Sequence, residues 1–303
     1  MTPQSVTLRV PATTANLGPG FDCLALALDL WNTCTFMIQP GGVRVEVQGE
    51  GAGHLPIDDK NLIARAFFKV YRRLGQGMPP GVKISCDNRI PLGSGLGSSA
   101  AAALAGIVAA NALLGDPLTK LEMLEIAYEL EDHADNAAAA LYGGLTLVTS
   151  EPNGSLIVKS LPSSAWQIVA VLPDFPLPTV QARRALPVNV SLQDAVFNIG
   201  HAILAAEALR TGDRGLLTKA LQDQLHQPYR LNLIPGAAAA IQAAQALGAP
   251  AALSGAGPSV IAFIEGDPQP VQAVMQNAFS NSGLTSRVWN LKTSLKGLTI
   301  DFS

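Results

Sequence analysis

The stretch Pro91, Leu92, Gly93, Ser94, Gly95, Leu96, Gly97, Ser98, Ser99, Ala100, Ala101 and Ala102 (PLGSGLGSSAAA) lies between two unlike segments. Before it, Val82 to Cys86 reads as a strand. After it, Ala100 to Leu114 carries Ala, Leu and Ile with no charge, which predicts a helix buried on most sides. Gly93, Gly95 and Gly97 allow positive φ and a close approach of backbone to a ligand. Ser98 and Ser99 stand where the helix begins. A helix N-terminus offers free N–H groups and the positive end of a dipole, a ready seat for phosphate. The bland alternative is a flexible connection before a buried helix. Strand, glycine loop, helix and hydroxyls at the junction together favour phosphate binding. The loop fits no common fingerprint. Ser98 stands where the dinucleotide motif needs Gly or Ala, the P-loop lysine is missing, and GxSxG occurs nowhere.

Working outward, Val6, Leu8 and Val10 alternate with polar residues, the period of a half-buried strand. Leu24 to Leu30, Thr35 to Gln39 and Val43 to Val47 read as further strands. From Asp59 the apolar spacing turns helical, with Asp59 as N-cap and Gly75 as the stop. Asp116 and Pro117 open a helix that runs to Glu131, and Asp135 to Leu141 forms a short one. Leu145 to Thr149 is a strand. The Pro-, Asn-, Gly- and Ser-containing stretch Glu151 to Ser164 marks a boundary between domains at 1–160 and 161–303. Beyond it, Trp166 to Leu172 is a strand and helices cover 191–211, 213–225 and 236–247. Strands at Ala251 to Leu253 and Val260 to Glu265, a helix from Val271 and a strand near Arg287 follow. Strands first and interspersed helices later indicate an α+β fold.

The 303 residues carry 20 Lys+Arg against 23 Asp+Glu, a net charge of -3 with 5% aromatics. Neither a basic footprint nor a base-stacking surface is present, so no nucleic acid is expected as partner. Three cysteines and four histidines, without an HExxH pair, give neither a disulfide framework nor a zinc site. The start MTPQSVTLRV lacks the charged and apolar regions of a leader. The longest apolar run, Ala100 to Ala110, falls well short of the ~20 residues that cross a bilayer. These features predict a cytoplasmic protein with no membrane partner.

Three segments together resemble the GHMP kinases. Pro91 to Ala102 is similar to the loop that wraps the nucleotide phosphates in that superfamily. Pro11 to Asp22 (PATTANLGPGFD) resembles its N-terminal motif, and Leu253 to Val260 (LSGAGPSV) its C-terminal glycine-rich motif. The resemblance implies ATP and Mg2+ as cofactors. It also implies a two-domain α+β fold, with an N-terminal domain like domain 2 of ribosomal protein S5 and a ferredoxin-like C-terminal domain. The nearest likeness is to the branch that phosphorylates homoserine. It rests on His133 to Asn136 (HADN), Pro178 to Pro187 (PTVQARRALP) and Gln227 to Gly236 (QPYRLNLIPG). Its implied partners are ATP and L-homoserine, with a homodimer as the expected assembly. A kinase for another small alcohol, of the mevalonate or shikimate class, is the first rival. A silent binding protein on the same fold is the second.

The resemblance carries roles onto single residues. Pro91 to Ala101 take the nucleotide. Ser98 and Glu131 hold Mg2+, with Glu129 as a competitor for Glu131. Arg183 and Arg230, with Thr179 one helical turn before Arg183, take the acceptor carboxylate, because guanidinium forks match carboxylates. Arg184 is the obvious mistaken choice for Arg183. Asn16 and Asp22 accept the ammonium group. Asn136 stands where relatives carry a catalytic aspartate and cannot take a proton. Asn136, Arg183 and Glu131 are thus the implied catalytic set, while His133 and Asp135 stay open as bases. The segment departs from the family's EGHPDNVAPA at Asp132, Ala134, Ala137 and Ala139.

Overall fold

A computed structural model describes residues 5–302. Residues 1–4, part of the stretch read for a leader, and residue 303 lie outside the described residues. The chain opens with β1 (Ser5–Asn16), β2 (Gly20–Ile38), β3 (Gly42–Gly49), α1 (Leu62–Arg73) and β4 (Gly81–Asn88). The glycine loop then leads into α2 (Ser98–Leu113), α3 (Lys120–Glu131), α4 (Asp135–Tyr142), β5 (Leu145–Ser150) and β6 (Leu156–Leu161). Next come β7 (Gln167–Pro173), α5 (Thr179–Arg184), α6 (Leu192–Thr211), α7 (Arg214–Ala220), α8 (Gln227–Leu231) and α9 (Ala237–Ala246). β8 (Ala251–Leu253), β9 (Val260–Ile264), α10 (Gln269–Asn281), β10 (Ser286–Lys292) and β11 (Thr299–Phe302) complete it.

The first sheet runs β11-β1-β2-β4-β3, with β5 on β2 and β6 on β5. Only the β3–β4 pair is parallel. The second sheet runs β10-β7-β9-β8, antiparallel throughout. Taken with α9 and α10, its strands follow a βαββαβ order, the split arrangement of ferredoxin-like domains. The α+β expectation and its two-part architecture hold.

Helix α2 is buried along nearly its whole length, as its uncharged composition predicts, and packs against α1 and β1. No helix among the described residues is long and apolar enough to cross a membrane.

Several boundaries move for local reasons. Asn61, not Asp59, caps α1: its Oδ1 accepts the Ile63 N–H, and its Nδ2 donates to Pro56 O. Asp116 does not open α3; it sits at φ 59 beyond the end of α2. The start of α3 is set by a Thr119–Glu122 capping box, a T-x-x-E signal present in the sequence. Leu24 to Leu30 and Thr35 to Gln39 belong to the single strand β2, which ends at Ile38. The stretch Glu151 to Ser164 is no bare linker, because Leu156–Leu161 pairs with β5. The helix read over 213–225 ends at Ala220, where Asp223 turns instead to the N–H groups of Leu225, His226 and Gln227.

Candidate active site

The glycine loop ends at a helix N-terminus that no side chain closes. Gly97 is the N-cap of α2, at φ 75, and no side chain caps it. The first N–H groups of α2 are therefore available where the cleft begins. That cleft has a volume of about 330 Å3. It brings together Gly93, Ser94, Gly95, Gly97, Ser98, Ser99 and Ala100 of the loop with Asn16, Asp22, Glu131, Asn136, Thr179, Arg183 and Arg230. Pro91 and Leu96 are buried and line neither this cleft nor its neighbour; they shape the loop instead. Pro91 O accepts from Ser94 Oγ, and Leu96 O accepts from Thr13 N. Leu92 and Ala101 face a second cavity, of about 260 Å3.

For Gly95 the close approach is to protein. A Cβ built there meets Ser254 O at 2.2 Å and Gly257 O at 3.0 Å, and φ is 80. Ser254 Oγ donates to Gly95 O, Ser259 N to Ser94 O, and Gly255 N to Ala15 O. The three motifs seen in the sequence are thus stitched into one body.

Asn16 braces this body. Its Nδ2 donates to Gly255 O and its Oδ1 accepts from Asp22 N, both near 2.8–2.9 Å. Asn16, Leu17 and Asp22 all have positive φ, a strained cluster of non-glycine residues at one loop. Asp22 meets Arg183 in a two-pronged ion pair of 2.9 and 3.0 Å. Burial opposes the Arg183 charge, but the hydrogen bond and charge of Asp22 outweigh it and push its pKa up. Arg184 does not line the cleft.

Arg230 differs. It is 2% exposed and has no carboxylate within ion-pair distance among the described residues. Its Nε donates to Ala182 O at 3.4 Å, and its Nη1 to Gly255 O at 3.3 Å. Burial pulls its pKa down to about 10. Both guanidiniums lie over the Phe21 ring, Arg183 at 5.8 Å and Arg230 at 5.1 Å from its centroid. A buried cation that lines a cleft without an anion calls for an anionic ligand.

In the same cleft, Glu131 accepts from Ser99 Oγ at 2.7 Å beside the N-terminus of α2. Glu129 is engaged elsewhere: hydrogen bonding from Lys69 and the charges of Lys69 and Arg73 hold its carboxyl below the usual range. Asn136 Oδ1 accepts from Thr13 Oγ1 at 2.8 Å. Asp135, almost fully buried, accepts the Asn136 N–H and faces His133 Nδ1 at 3.1 Å. Burial works against a charge on His133, yet Asp135 prevails and raises its pKa.

Sequence reasoning missed two parts. One is Thr13, which lies inside the quoted motif Pro11 to Asp22 but was passed over. The other is the second cavity, lined mainly by apolar groups of Val47, Leu55, Leu62 and Ala102, with Asn61 and Asn88 as polar points. It shares Gly93, Ser98 and Ser99 with the main cleft, so the two adjoin at the start of α2. Its residues come from five separate elements, β2, β3, α1, β4 and α2, and their connections, and no local pattern marks them.

Residues 61–144 match the family described as GHMP kinases N terminal domain, and residues 205–281 match GHMP kinases C terminal. Curated homoserine kinases of Microchaete diplosiphon and Moorella thermoacetica are 45% and 42% identical to the chain. Both cover 97% of it, and the alignments span 96% and 99% of those proteins. The crystal structure of homoserine kinase from Cytophaga hutchinsonii aligns with a TM-score of 0.87 at 32% identity, covering 99% of this chain and 98% of that one. L. major mevalonate kinase in complex with R-mevalonate aligns with a TM-score of 0.69 at 19% identity over 98% and 97% of the two chains, a likeness of fold.

Proposed function

The chain belongs to the GHMP kinases, and from that membership and its homoserine kinase relatives we propose that it transfers the γ-phosphoryl group of ATP to the side-chain hydroxyl of L-homoserine. The product is O-phospho-L-homoserine, on the way to threonine. The observation that carries this acceptor is Arg230, a buried guanidinium without an anion, set beside Arg183 on one cleft wall. Two guanidiniums suit a carboxylate, and Asp22 and the Asn16 amide oxygen supply acceptors for an ammonium group.

We assign the roles as follows. The N–H groups at the start of α2 and the loop backbone hold the phosphates, and the adjoining apolar cavity takes the base of the nucleotide. Mg2+, when bound, neutralises charge on the transferring phosphoryl group. Ser98 and Glu131 would hold it. No group of three or more His, Cys, Asp or Glu that could hold a metal exists among the described residues. Two hard oxygens fit a cation that keeps most of its waters. Asn136 orients the acceptor through its amide, while Thr13 fixes the Asn136 oxygen. Phosphoryl transfer asks mainly for positioning and charge stabilisation, so no side chain need act as a strong base.

ADP release with L-homoserine, mevalonate and shikimate tests the acceptor. Homoserine should give the highest kcat/KM. A higher value for either rival would sink the proposal, and no release with any of them would favour a silent binding protein. The metal assignment is tested separately. Glu131→Gln should lower kcat and raise the Mg2+ concentration needed for half-maximal rate, because an amide is a poorer ligand. Glu129→Gln should loosen only its surface pairs with Lys69 and Arg73, worth up to ~1 kcal/mol each. The reverse order in a Mg2+ titration would move the metal to Glu129.

We propose the cytoplasm as the place of work, in keeping with three free cysteines and the use of ATP. We propose the boundary between the two domains near residues 160 and 161. For the homodimer we propose the exposed stripe of Leu192, Val196, Ile199 and Ile203 on α6 as the face, pairing with itself about a two-fold axis. It has helical spacing and bears no charge. Sedimentation should report a dimer in wild type and a monomer in Ile199→Glu; a wild-type monomer would overturn the assignment.

A further inference from the structure

Arg230 does not hold its position alone. His226 is fully buried, and its Nε2 lies 2.7 Å from Gly18 O. A carbonyl oxygen can only accept, so Nε2 carries the proton and Nδ1 presents a lone pair. That lone pair faces Arg230 Nη1 at 3.3 Å. Burial, against the pull of Asp223, lowers the imidazole pKa and keeps the acceptor available. Phe21 stacks on the imidazole at 5.3 Å, and the same ring carries the Arg230 guanidinium. Asp223 accepts the backbone N–H groups of His226 and Gln227 at 2.9 and 2.6 Å, which anchors the start of α8.

A guanidinium binds a carboxylate well only when its planar fork is aimed. The Arg230 contacts to Ala182 O, Gly255 O and His226 Nδ1 are of similar length, 3.3–3.4 Å, and His226 is the one side-chain acceptor among them; with the Phe21 face it helps set the guanidinium plane. We propose that His226 is a positioning residue for acceptor specificity. Its Nδ1 lone pair orients Arg230 toward the acceptor carboxylate, and its Nε2–H ties Gly18, with the Asn16–Asp22 loop, to the same anchor. The inference rests on Arg230 as a carboxylate ligand. It adds a residue that touches neither substrate.

The experiment compares kcat/KM for L-homoserine with that for its primary amide, which keeps the ammonium and hydroxyl but lacks the negative charge. His226→Gln keeps a donor within reach of Gly18 O and loses the acceptor facing Arg230. It should raise the homoserine KM roughly 5- to 20-fold and shrink the homoserine-to-amide ratio by a similar factor. The ATP KM and kcat should stay near wild type. His226→Asn, whose Oδ1 can stand in for Nδ1, should recover most of the ratio. If His226→Gln does not fold, His226→Ala serves with the same readout. An unchanged ratio in the His226 variants, with Arg230→Met collapsing it, overturns this inference and leaves the carboxylate assignment standing. Equal losses for homoserine, amide and ATP also overturn it, since they would mark a role in the fold alone. An unchanged ratio in Arg230→Met removes the carboxylate assignment and this inference together.

Discussion

Arg230→Met should lower kcat/KM for homoserine by roughly 10- to 150-fold, the loss of a charge-assisted contact of about 1.5–3 kcal/mol. The ATP KM should hardly move, because none of the Arg230 hydrogen bonds goes to the glycine loop at residues 91–101. The same variant should be no less stable than wild type, and thermal unfolding should show an equal or higher Tm. Arg230 is buried, lacks an anion and has its pKa drawn down to about 10, so its charge is a burden on the empty fold. A methionine of similar length removes that burden. Loss of activity with stability kept is the signature of a residue held for ligand. A fall in both Tm and activity would instead make Arg230 a structural ion.

Gly95→Ala should cost more stability than Gly93→Ala in the same glycine loop. The new Cβ would sit 2.2 Å from Ser254 O, a backbone atom that cannot swing aside, and φ 80 is itself strained for alanine. Gly93 is the comparison, with φ 59 and nothing within 4 Å of its Cβ position. Strain of ~1–3 kcal/mol applies to both, but only Gly95→Ala also parts the two glycine loops. At about 2–4 °C per kcal/mol for chains of 150–250 residues, the gap should be visible in melting curves. The ATP KM of Gly95→Ala should rise at least tenfold, because Ser94 and Gly97 move with the loop. Equal Tm values for the two variants would refute the stitched arrangement.

The glycine loop, α2 and the α+β class were readable because each is local: glycines, an uncharged helix, a change of period. Arg183 and Arg230 could be named from their motifs, yet their difference could not. Arg183 owes its ion pair to Asp22, 161 residues away in the chain, and Arg230 owes its isolation to burial beside Phe21, Ala182, His226 and Gly255. The reason for glycine at 95 was hidden for the same cause, since Ser254 lies 159 residues away in the chain. The start of α3 was legible in Thr119 and Glu122 and was lost to the louder Asp-Pro at 116 and 117. The apolar cavity beside the loop had no local signal at all.

The pairing of β11 with β1 sets an order of events. Val6 to Arg9 find their partners in residues 299 to 302, so one rim of the first sheet stays bare until those residues have been made. The other neighbour of β1 is the adjacent β2, which can pair early. A nascent chain would therefore display an unpaired, apolar-patterned edge through most of its synthesis, the kind of edge on which other chains nucleate aggregates. Arg9, exposed on that strand, is a charge of the sort that discourages such contacts. Deleting the four residues of β11 would make this temporary hazard permanent, and would do so without touching a single group in the cleft.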